Sequence, residues 1–328
     1  MKNKPIIIVN GEPNSIFLEI FFKSLKNKNY KSPIILISSL EVLMFHMKKL
    51  KFKKKVKIID YKNINKYNLN HKYINLINVK SRVVNNFKKI NNNSNLFIER
   101  SFNIALKLID LGFAKKMING PISKKKFLNK KYLGITEYLA KKSNSKKIAM
   151  LIYNKELSVC PITTHLPLKK VAKQITKKEI YEKVDLITNF YKSYRNMNPK
   201  IAILGLNPHC ESIDKFNEDE KIIKPAIKYL DNKGYNVSGP FSADTIFLKN
   251  NRKKFDVILG MYHDQVLTPL KTLYEYDAIN ITLGLPYIRI SPDHGPNFQM
   301  IGKNTSNPKS LESAITFLDK NWIELKKA

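Results

Sequence analysis

Short apolar runs of the kind that form buried strands alternate along the chain with segments whose apolar residues recur at helical spacing. The first run, Ile6 to Val9, ends at the polar turn 10–13, and apolar residues then recur at helical spacing from Ile16 to Leu25. The same pattern predicts further strands at 33–38, 116–118, 148–154, 157–163, 200–206 and 256–262. It predicts further helices ending near residue 50 and at about 96–111, 168–193, 218–233 and 309–325. Strands that alternate with helices are typical of βαβ units, so the pattern predicts an α/β fold with a largely parallel sheet.

Composition narrows the class of protein. Of the 328 residues 43% are apolar, which is enough to bury one large core or two modest ones. The two cysteines, Cys160 and Cys210, cannot build a disulfide framework, and neither belongs to a CxxC pair. No apolar run reaches the roughly 18 residues that a membrane span needs, and the run near the N-terminus is too short for a signal peptide. We therefore expect a cytoplasmic protein without a membrane partner.

The chain is strongly basic. Its formal net charge is +33, from 59 Lys and Arg against 26 Asp and Glu. Five of these 59 residues are arginines and the other 54 are lysines, whereas nucleic-acid recognition relies heavily on bidentate arginine. The lysines are also scattered along a chain rich in Asn, Ile and Tyr, as A+T-rich coding DNA would produce. We predict no nucleic-acid partner, and a non-enzymatic basic protein that binds polyanions is the alternative class.

Three of the six histidines, His165, His209 and His263, follow predicted strands. In open α/β sheets, ligands bind beyond the carboxyl ends of the strands, and neutral imidazole suits divalent first-row metals. The three positions therefore predict a site for one divalent metal. Asp244 and Asp264 could accept a proton or orient a ligand histidine, although for Asp244 a role as N-cap of a helix that begins at Thr245 is open.

A second group of residues suits a phosphorylated small molecule. It contains the cations Lys271 and Arg289 and the short polar residues Thr136 and Asn280, and charge-assisted hydrogen bonds to phosphate are strong. Arg289 is the more informative cation, because it stands between two isoleucines in a chain with very little arginine. Three common nucleotide and hydrolase motifs are missing from the sequence. Without GxxxxGK[ST] a P-loop has no support, and without GxSxG an α/β-hydrolase has none. Without GxGxxG after the first strand, a standard dinucleotide fold has none either.

A series of ordered motifs runs along almost the whole chain. They are NGEPNSI (10–16), NGPISK (119–124), GITEYLA (134–140), TTHLPL (163–168), LGLNPHCE (204–211), GPFSADTIF (239–247), MYHDQ with Lys271 (261–271) and NITLGLPYIRISPDHG (280–295). Together they resemble the motifs of the 4-hydroxythreonine-4-phosphate dehydrogenase family of vitamin B6 biosynthesis. The resemblance implies an isocitrate/isopropylmalate-dehydrogenase-like α/β fold, with two lobes around a cleft and mostly parallel sheets. The first lobe would take about 1–130 and 275–328, and the second, which carries the metal histidines, about 131–274.

The resemblance also implies roles for individual residues. It makes three histidines the ligands of one divalent metal, which would be Zn, Mg or Co: His165, His209 and His263. It makes four residues substrate contacts, of which Lys271 is also catalytic: Thr136, Lys271, Asn280 and Arg289. It places three residues beside NAD or NADP: Asp293, His294 and Gly295. It further implies a homodimer with the active site near the subunit interface.

The implied reaction is an oxidation of 4-phosphooxy-L-threonine at C3. The metal would lower the pKa of the C3 hydroxyl so that hydride can pass to NAD. The candidate proton acceptor is Asp244 or a metal-bound water relayed through a nearby carboxylate. The resulting β-keto acid loses carbon dioxide to give 3-amino-2-oxopropyl phosphate, a precursor of pyridoxal phosphate.

Three positions depart from the family pattern. Ile135 stands where a histidine is usual, 14–17 (NSIF) replaces a glycine-rich segment, and 296–299 (PNFQ) replaces small residues and an aspartate. The change at Ile135 leaves open a paralogous dehydrogenase of a four-carbon phosphorylated hydroxy acid, such as threonate or erythronate phosphate.

Overall fold

A computed structural model describes residues 4–26, 29–81, 92–123, 127, 132, 134–213, 216–275, 277–292 and 294–320. These residues form two compact units, the first within Met1–Tyr138 and Tyr287–Asn321 and the second within Leu139–Pro286. The sequence prediction placed the divisions near 130 and 274, earlier in the chain. The segment between 275 and 286 falls in the second unit because its strand pairs with a strand of that unit.

The strands of the described residues follow the predicted βα alternation. In chain order they are β1 (Ile6–Val9), β2 (Ile34–Ser38), β3 (Lys55–Ile58), β4 (Tyr73–Asn78), β5 (Lys116–Asn119), β6 (Ala149–Tyr153), β7 (Ser158–Thr163), β8 (Ile201–Leu204), β9 (Val237–Phe241), β10 (Val257–Tyr262), β11 (Ile279–Leu283) and β12 (Ile288–Pro292).

The helices occupy most of the intervals between these strands, and the last helix follows β12. They are α1 (Phe17–Lys26), α2 (Leu40–Lys49), α3 (Asn92–Asp110), α4 (Ile135–Lys142), α5 (Val171–Gln174), α6 (Lys177–Arg195), α7 (Lys224–Asn232), α8 (Ala243–Ile246), α9 (Lys249–Arg252), α10 (His263–Tyr274) and α11 (Lys309–Asp319). Short 3-10 helices occur at Tyr61–Lys66, Leu168–Lys170, Pro208–Cys210 and Phe298–Met300, and a π-helical turn at Asp219–Ile223 leads into α7. Within the described ranges, no helix has both the length and the apolar character needed to cross a membrane.

The first unit contains a parallel sheet with the strand order β3-β4-β2-β1-β5-β12. Its centre is β1, whose four residues, three isoleucines and a valine, are all fully buried. A continuous apolar run is expected for a parallel strand, since helices cover both faces of such a sheet. At one edge β3 alternates lysine with apolar residues and is largely exposed, which explains why the sequence pattern did not predict it.

The second unit combines parallel and antiparallel pairing, with the strand order β11-β6-β7-β10-β8-β9. The strands β7, β10, β8 and β9 run parallel, while β6 pairs antiparallel with both β7 and β11. Its core includes apolar residues of β7, β8, β10 and α10, among them Val159, Leu204, Ile258 and Val266. The mixed α/β class and the mostly parallel pairing that the sequence predicts are confirmed.

The helical prediction for 168–193 is wrong in one respect, because the structure has a break inside it. The chain forms a 3-10 turn and the short helix α5, and a new helix, α6, begins after Thr176. The Thr176 hydroxyl accepts a hydrogen bond from the backbone N–H of Glu179 at 3.2 Å. This is a side-chain N-cap, which starts a new helix where the sequence pattern alone continued the old one.

The loops that follow β1 and β5 approach each other closely at two glycines. Gly11 has a φ of +74°, and a Cβ there would lie 2.6 Å from the Pro121 carbonyl oxygen and 2.8 Å from that of Gly120. A Cβ at Gly120 would collide with the Asn10 carbonyl and lie 2.8 Å from the Phe17 ring. The carboxyl ends of these neighbouring strands are therefore packed backbone against backbone.

Gly11→Ala should destabilise the protein more than Gly112→Ala, which provides a matched control. Gly112 has nearly the same φ, +71°, but no atom lies within 4 Å of a Cβ built there. Both changes introduce the left-handed strain of a non-glycine residue, roughly 1–2 kcal/mol. Gly11→Ala should lose about 1–3 kcal/mol more because it also overpacks the loop. Denaturant unfolding of both variants measures the difference, and equal losses would contradict the close packing.

Candidate active site

Three neighbouring strands of the second unit end at turns that carry the predicted metal histidines. In the sheet β10 lies between β7 and β8. His165 follows the end of β7 by two residues, His263 is the first residue of α10 directly after β10, and His209 lies in the 3-10 turn beyond β8. All three strands run parallel, so the three histidines follow the carboxyl edge of the sheet, as the strand pattern predicts.

His165 and His263 lie close together. Their ring centroids are 6.1 Å apart and the rings are tilted by 37°, so they are not stacked face to face. The Nδ1 atom of His263 lies 2.6 Å from the Asp264 carboxylate, which makes Nδ1 the donor and leaves Nε2 as the nitrogen for a ligand. A carboxylate that fixes the tautomer in this way is typical of histidines that bind metals. The pair thus has the donor chemistry of a site for Zn²⁺ or a similar first-row ion.

His209 does not join this pair. It is exposed, and its backbone is left-handed, with a φ of 54°. Adjacent strands lie about 4.8 Å apart, so β8 lies roughly 10 Å from β7, and only the conformation of the turn can bring His209 to the pair. Across the described ranges, which include all three histidines, no three His, Cys, Asp or Glu side chains are grouped so that they could hold one metal ion. The three-histidine set predicted from the sequence is therefore not assembled in this structure.

Side chains connect the backbone of the three histidine-bearing turns. The Thr163 hydroxyl, at the end of β7, donates to the Met261 carbonyl of β10 at 2.8 Å. Gln265 accepts from the Met261 N–H at 2.7 Å and donates to the Gly205 carbonyl beyond β8 at 2.8 Å. In the sequence Gln265 is visible only as the last residue of the MYHDQ motif, because its two partners cannot be identified without the strand order. The positions of the turns are thus linked to one another by hydrogen bonds.

The other predicted residues of the second unit lie on separate elements. Lys271 is exposed on α10, eight residues after His263, which is about 12 Å along the helix axis. Asn280 lies on β11, and its buried side-chain oxygen accepts no hydrogen bond from any described residue. Asp244 is exposed in the first turn of α8. Because α8 begins at Ala243 with Ser242 as its N-cap residue, the N-cap alternative for Asp244 is wrong.

The first unit contains a buried arginine. Arg289 lies on β12, beside β5, and is fully buried. Its Nε donates to the Asn119 side-chain oxygen at 2.7 Å, and its Nη1 donates to the Thr136 hydroxyl at 3.4 Å. Burial lowers the pKa of Arg289 to about 10, while the charges of Tyr287 and Glu137 act in the opposite direction. The guanidinium therefore stays charged at neutral pH and is oriented by neutral oxygens.

Thr136 lies beside this arginine and also at the start of a helix. It is the second residue of α4, where backbone N–H groups point out of the first helical turn and the helix dipole favours an anion. The structure brings Thr136 and Arg289 together, as the sequence predicted for a phosphate site. Asn119, at the end of β5, was not predicted, and its only sequence signal was its place in a polar turn after a buried strand.

The predicted cofactor loop packs on the start of α1. The His294 ring lies 6.3 Å from the Phe17 ring at an interplanar angle of 29°, and the Pro296 carbonyl accepts from the Ile16 N–H at 3.2 Å. Gly295 is exposed, and Asp293 lies outside the described residues. The contacts join the two segments that depart from the family pattern, 14–17 and 296–299.

Comparison with known proteins finds relatives that match most of this chain. The family model for the pyridoxal phosphate biosynthetic protein PdxA matches residues 29–318. A 4-hydroxythreonine-4-phosphate dehydrogenase of Sulfurihydrogenibium sp. is 39% identical over 315 residues, which cover 94% of this chain and 96% of the relative. A D-threonate 4-phosphate dehydrogenase of Pectobacterium atrosepticum is 37% identical over 185 residues, 56% of this chain and 57% of the relative.

A solved structure gives the same result for the fold. The crystal structure of a 4-hydroxythreonine-4-phosphate dehydrogenase from Klebsiella pneumoniae superposes with a TM-score of 0.83 at 27% identity, over 96% of this chain and 98% of the other. The resemblance that the ordered motifs indicated is thereby confirmed over nearly the whole length. With a family model that matches most of its residues and a relative of similar length at 39% identity, the chain belongs to the family of the pyridoxal phosphate biosynthetic protein PdxA.

Proposed function

We propose that the protein oxidises the C3 hydroxyl of 4-hydroxythreonine 4-phosphate with NAD, or NADP, as hydride acceptor, in the biosynthesis of pyridoxal phosphate. Family membership makes it an oxidoreductase that acts on a CH–OH group. The observation that carries the substrate proposal is the buried, charged Arg289 held by Asn119 and Thr136. A fixed cation of this kind suits a phosphate monoester.

The proposed phosphate contacts are Arg289 and Thr136. The guanidinium stays protonated at neutral pH, because its lowered pKa is still about 10. Its orientation is set before substrate arrives, so little conformational entropy is lost on binding. Lys271 and Asn280 are proposed further substrate contacts. The buried Asn280 side-chain oxygen, which accepts no hydrogen bond within the described ranges, is an acceptor that a substrate amine or hydroxyl can use.

His165 and His263 are the proposed ligands of a divalent metal, with His209 as the third. Such an ion, when bound, acts as a Lewis acid that lowers the pKa of a coordinated hydroxyl. Asp264 keeps the Nε2 of His263 available by holding its Nδ1. Imidazole ligands favour Zn²⁺ or Co²⁺ over Mg²⁺, which prefers oxygen. Asp244, exposed on α8, is the proposed acceptor of the hydroxyl proton.

His294 and Gly295 are the proposed NAD contacts. NAD, when bound, would supply the acceptor for the hydride from C3, and Asp244 would take the hydroxyl proton. The product ketone lies β to the substrate carboxylate, so loss of carbon dioxide gives 3-amino-2-oxopropyl phosphate. The homodimer with its active site near the interface and the cytoplasmic location, both expected from the sequence, stay predictions.

A related substrate is the second candidate. The D-threonate 4-phosphate dehydrogenase of Pectobacterium atrosepticum acts, by its name, on a phosphorylated four-carbon acid without an amine. Ile135, at the start of α4 beside Thr136, has no polar group where the family pattern has a histidine. Threonate or erythronate phosphate is therefore the competing substrate. Non-enzymatic binding of polyanions is not favoured for a member of a dehydrogenase family.

The protein should form NADH from 4-phosphooxy-L-threonine in the presence of Zn²⁺ or Co²⁺, and absorbance at 340 nm measures the rate. His263→Ala should abolish turnover because it removes one of the paired imidazoles. His71→Ala is the matched control, since His71 is an exposed histidine of the first unit, and it should retain the wild-type rate. Turnover of threonate phosphate alone would transfer the proposal to the second candidate. If the folded wild type turned over neither substrate in the presence of Zn²⁺, Mg²⁺ or Co²⁺, both candidate functions would be refuted.

Arg289→Lys should lower kcat/KM mainly by raising KM. Lysine lacks the planar, forked guanidinium that can donate to Asn119 and Thr136 and to a phosphate at once. A charge-assisted hydrogen bond contributes roughly 1.5–3 kcal/mol, so losing one should raise KM about 10- to 100-fold. The control is Arg252→Lys on α9, where the arginine donates to the Phe247 carbonyl at 2.9 Å. Steady-state kinetics of both variants test the assignment, which an unchanged KM in Arg289→Lys would contradict.

A further inference from the structure

Asn119 holds the buried guanidinium of Arg289 from the neighbouring strand. Asn119 ends β5, and two residues before it Met117 pairs with Arg289 of β12. Residues two apart on a strand face the same side of the sheet, so Asn119 lies on the face that carries Arg289. Asn119 is 2% exposed and Arg289 is fully buried. The hydrogen bond from the Arg289 Nε to the Asn119 Oδ1, 2.7 Å long, therefore forms away from water.

The amide of Asn119 is held in one orientation by its two neighbours. Arginine nitrogens only donate, so the amide oxygen has to face Arg289. The Asn119 Nδ2 donates to the Gly120 carbonyl at 2.8 Å, and the Gly120 N–H donates to the Val9 carbonyl at 2.8 Å. A Cβ at Gly120 would collide with the Asn10 carbonyl. The backbone that receives the amide is thus fixed by the close packing of the loops after β1 and β5.

Two acceptors on different elements fix the plane of the guanidinium. Asn119 on β5 accepts from Nε, and the Thr136 hydroxyl on α4 accepts from Nη1 at 3.4 Å. The bond to Asn119 is the shorter of the two, so it is the stronger constraint. All N–H groups of a guanidinium lie in one plane. Holding Nε and Nη1 therefore also sets the directions of the other N–H groups.

The acceptor at position 119 is an amide, not a carboxylate. A carboxylate there would form a buried ion pair with the guanidinium and offset its charge. An amide oxygen orients the guanidinium and adds no negative charge. The positive charge is what makes hydrogen bonds to a phosphate strong, so a neutral acceptor suits a cation that has to bind an anion.

We propose that Asn119 is a positioning residue of the phosphate site, which orients the Arg289 guanidinium and, as a neutral acceptor, leaves its charge to the phosphate. This inference rests on the proposed function, since it takes Arg289 as a phosphate contact. Asn119 acts through Arg289 and is not itself a proposed contact of the phosphate. Asn119, Thr136 and Arg289 all belong to the first unit.

Asn119→Ala removes the acceptor, and inorganic phosphate is the probe, titrated by calorimetry at constant ionic strength. A chain with a net charge of +33 also attracts phosphate to its surface, so the affinity of the site is the part that Arg289→Lys removes. This affinity should fall about 10-fold in Asn119→Ala, the size of one weakened charge-assisted hydrogen bond. The KM of the phosphorylated substrate should rise by a similar factor, with little change in kcat.

Asn75→Ala is the matched control. Asn75 lies on β4 of the same unit, is also 2% exposed, and donates to the Ile34 and Asn70 carbonyls, both at 3.0 Å. Its loss should lower stability and leave the phosphate affinity unchanged. In an Arg289→Lys background, Asn119→Ala should cause no further loss of phosphate affinity, because both changes act through the guanidinium.

Asn119→Asp is the second variant, for the case that Asn119→Ala does not fold. It keeps an acceptor of the same size beside Nε but adds a negative charge next to the phosphate. The phosphate affinity should therefore fall at least as far as in Asn119→Ala. An Asn119→Asp protein that binds phosphate as tightly as the wild type would show that the neutrality of this residue has no role.

Three further results would overturn the inference: unchanged phosphate affinity in Asn119→Ala, an equal loss in Asn75→Ala, or a full additional loss in the Arg289→Lys background. A failure of the proposed function gives a different pattern. If the wild type binds phosphate through Arg289 but turns over neither candidate substrate, the proposed reaction is refuted and the role of Asn119 stands. If Arg289→Lys leaves phosphate affinity unchanged, the phosphate site is refuted, and the role of Asn119 with it.

Discussion

In a parallel sheet the backbone hydrogen bonds between strands end at the carboxyl ends of the strands. The backbone groups near that end of the sheet need other partners before the turns there can hold a ligand in place. In the second unit Gln265 accepts from the Met261 N–H near the end of β10 and donates to the Gly205 carbonyl just beyond β8, and the Thr163 hydroxyl donates to the Met261 carbonyl. One such hydrogen bond contributes only about 1 kcal/mol net, but a buried group left without a partner costs about 1–3 kcal/mol. The places of the histidine-bearing turns therefore depend on a few side-chain amides, hydroxyls and carboxylates rather than on the sheet itself.

The first unit uses charge in a different way from the rest of the chain. The 54 lysines that account for most of the +33 charge create a broad positive field, and such a field raises the local concentration of anions without orienting them. Arg289 is a single buried cation in a fixed orientation, with oxygen partners on β5 and α4. Under the proposed function, lysines would attract anions at long range and Arg289 would orient the bound one at short range. The chain contains only four other arginines.

The sequence predicts the fold well where strands are continuously apolar and poorly where they lie at an edge. β1 is evident from three isoleucines and a valine, whereas β3 alternates with lysine and β9 contains Gly and Pro. The strand ends also predict where the histidines lie. They do not predict how far the third histidine is from the other two. That distance depends on left-handed residues and on Asp219, whose carboxylate accepts from the N–H groups of Leu206 and Asn207, 13 and 12 residues earlier in the sequence. The bond between Gln265 and Gly205 spans 60 residues, which no local pattern reveals.

Each of the two side chains that fix the turn after β8 faces a glycine. A Cβ built on Gly205 would lie 2.6 Å from the Asp219 Oδ1 and 2.7 Å from the Cys210 Sγ, and one built on Gly260 would collide with the Val266 Cγ1 and lie 3.0 Å from the Gln265 Oε1. Neither glycine can be replaced by a residue with a side chain unless these neighbours shift. A substitution at either glycine therefore also disturbs the side chains that hold the turn, and a redesign of this edge has to treat each glycine together with the side chains around it.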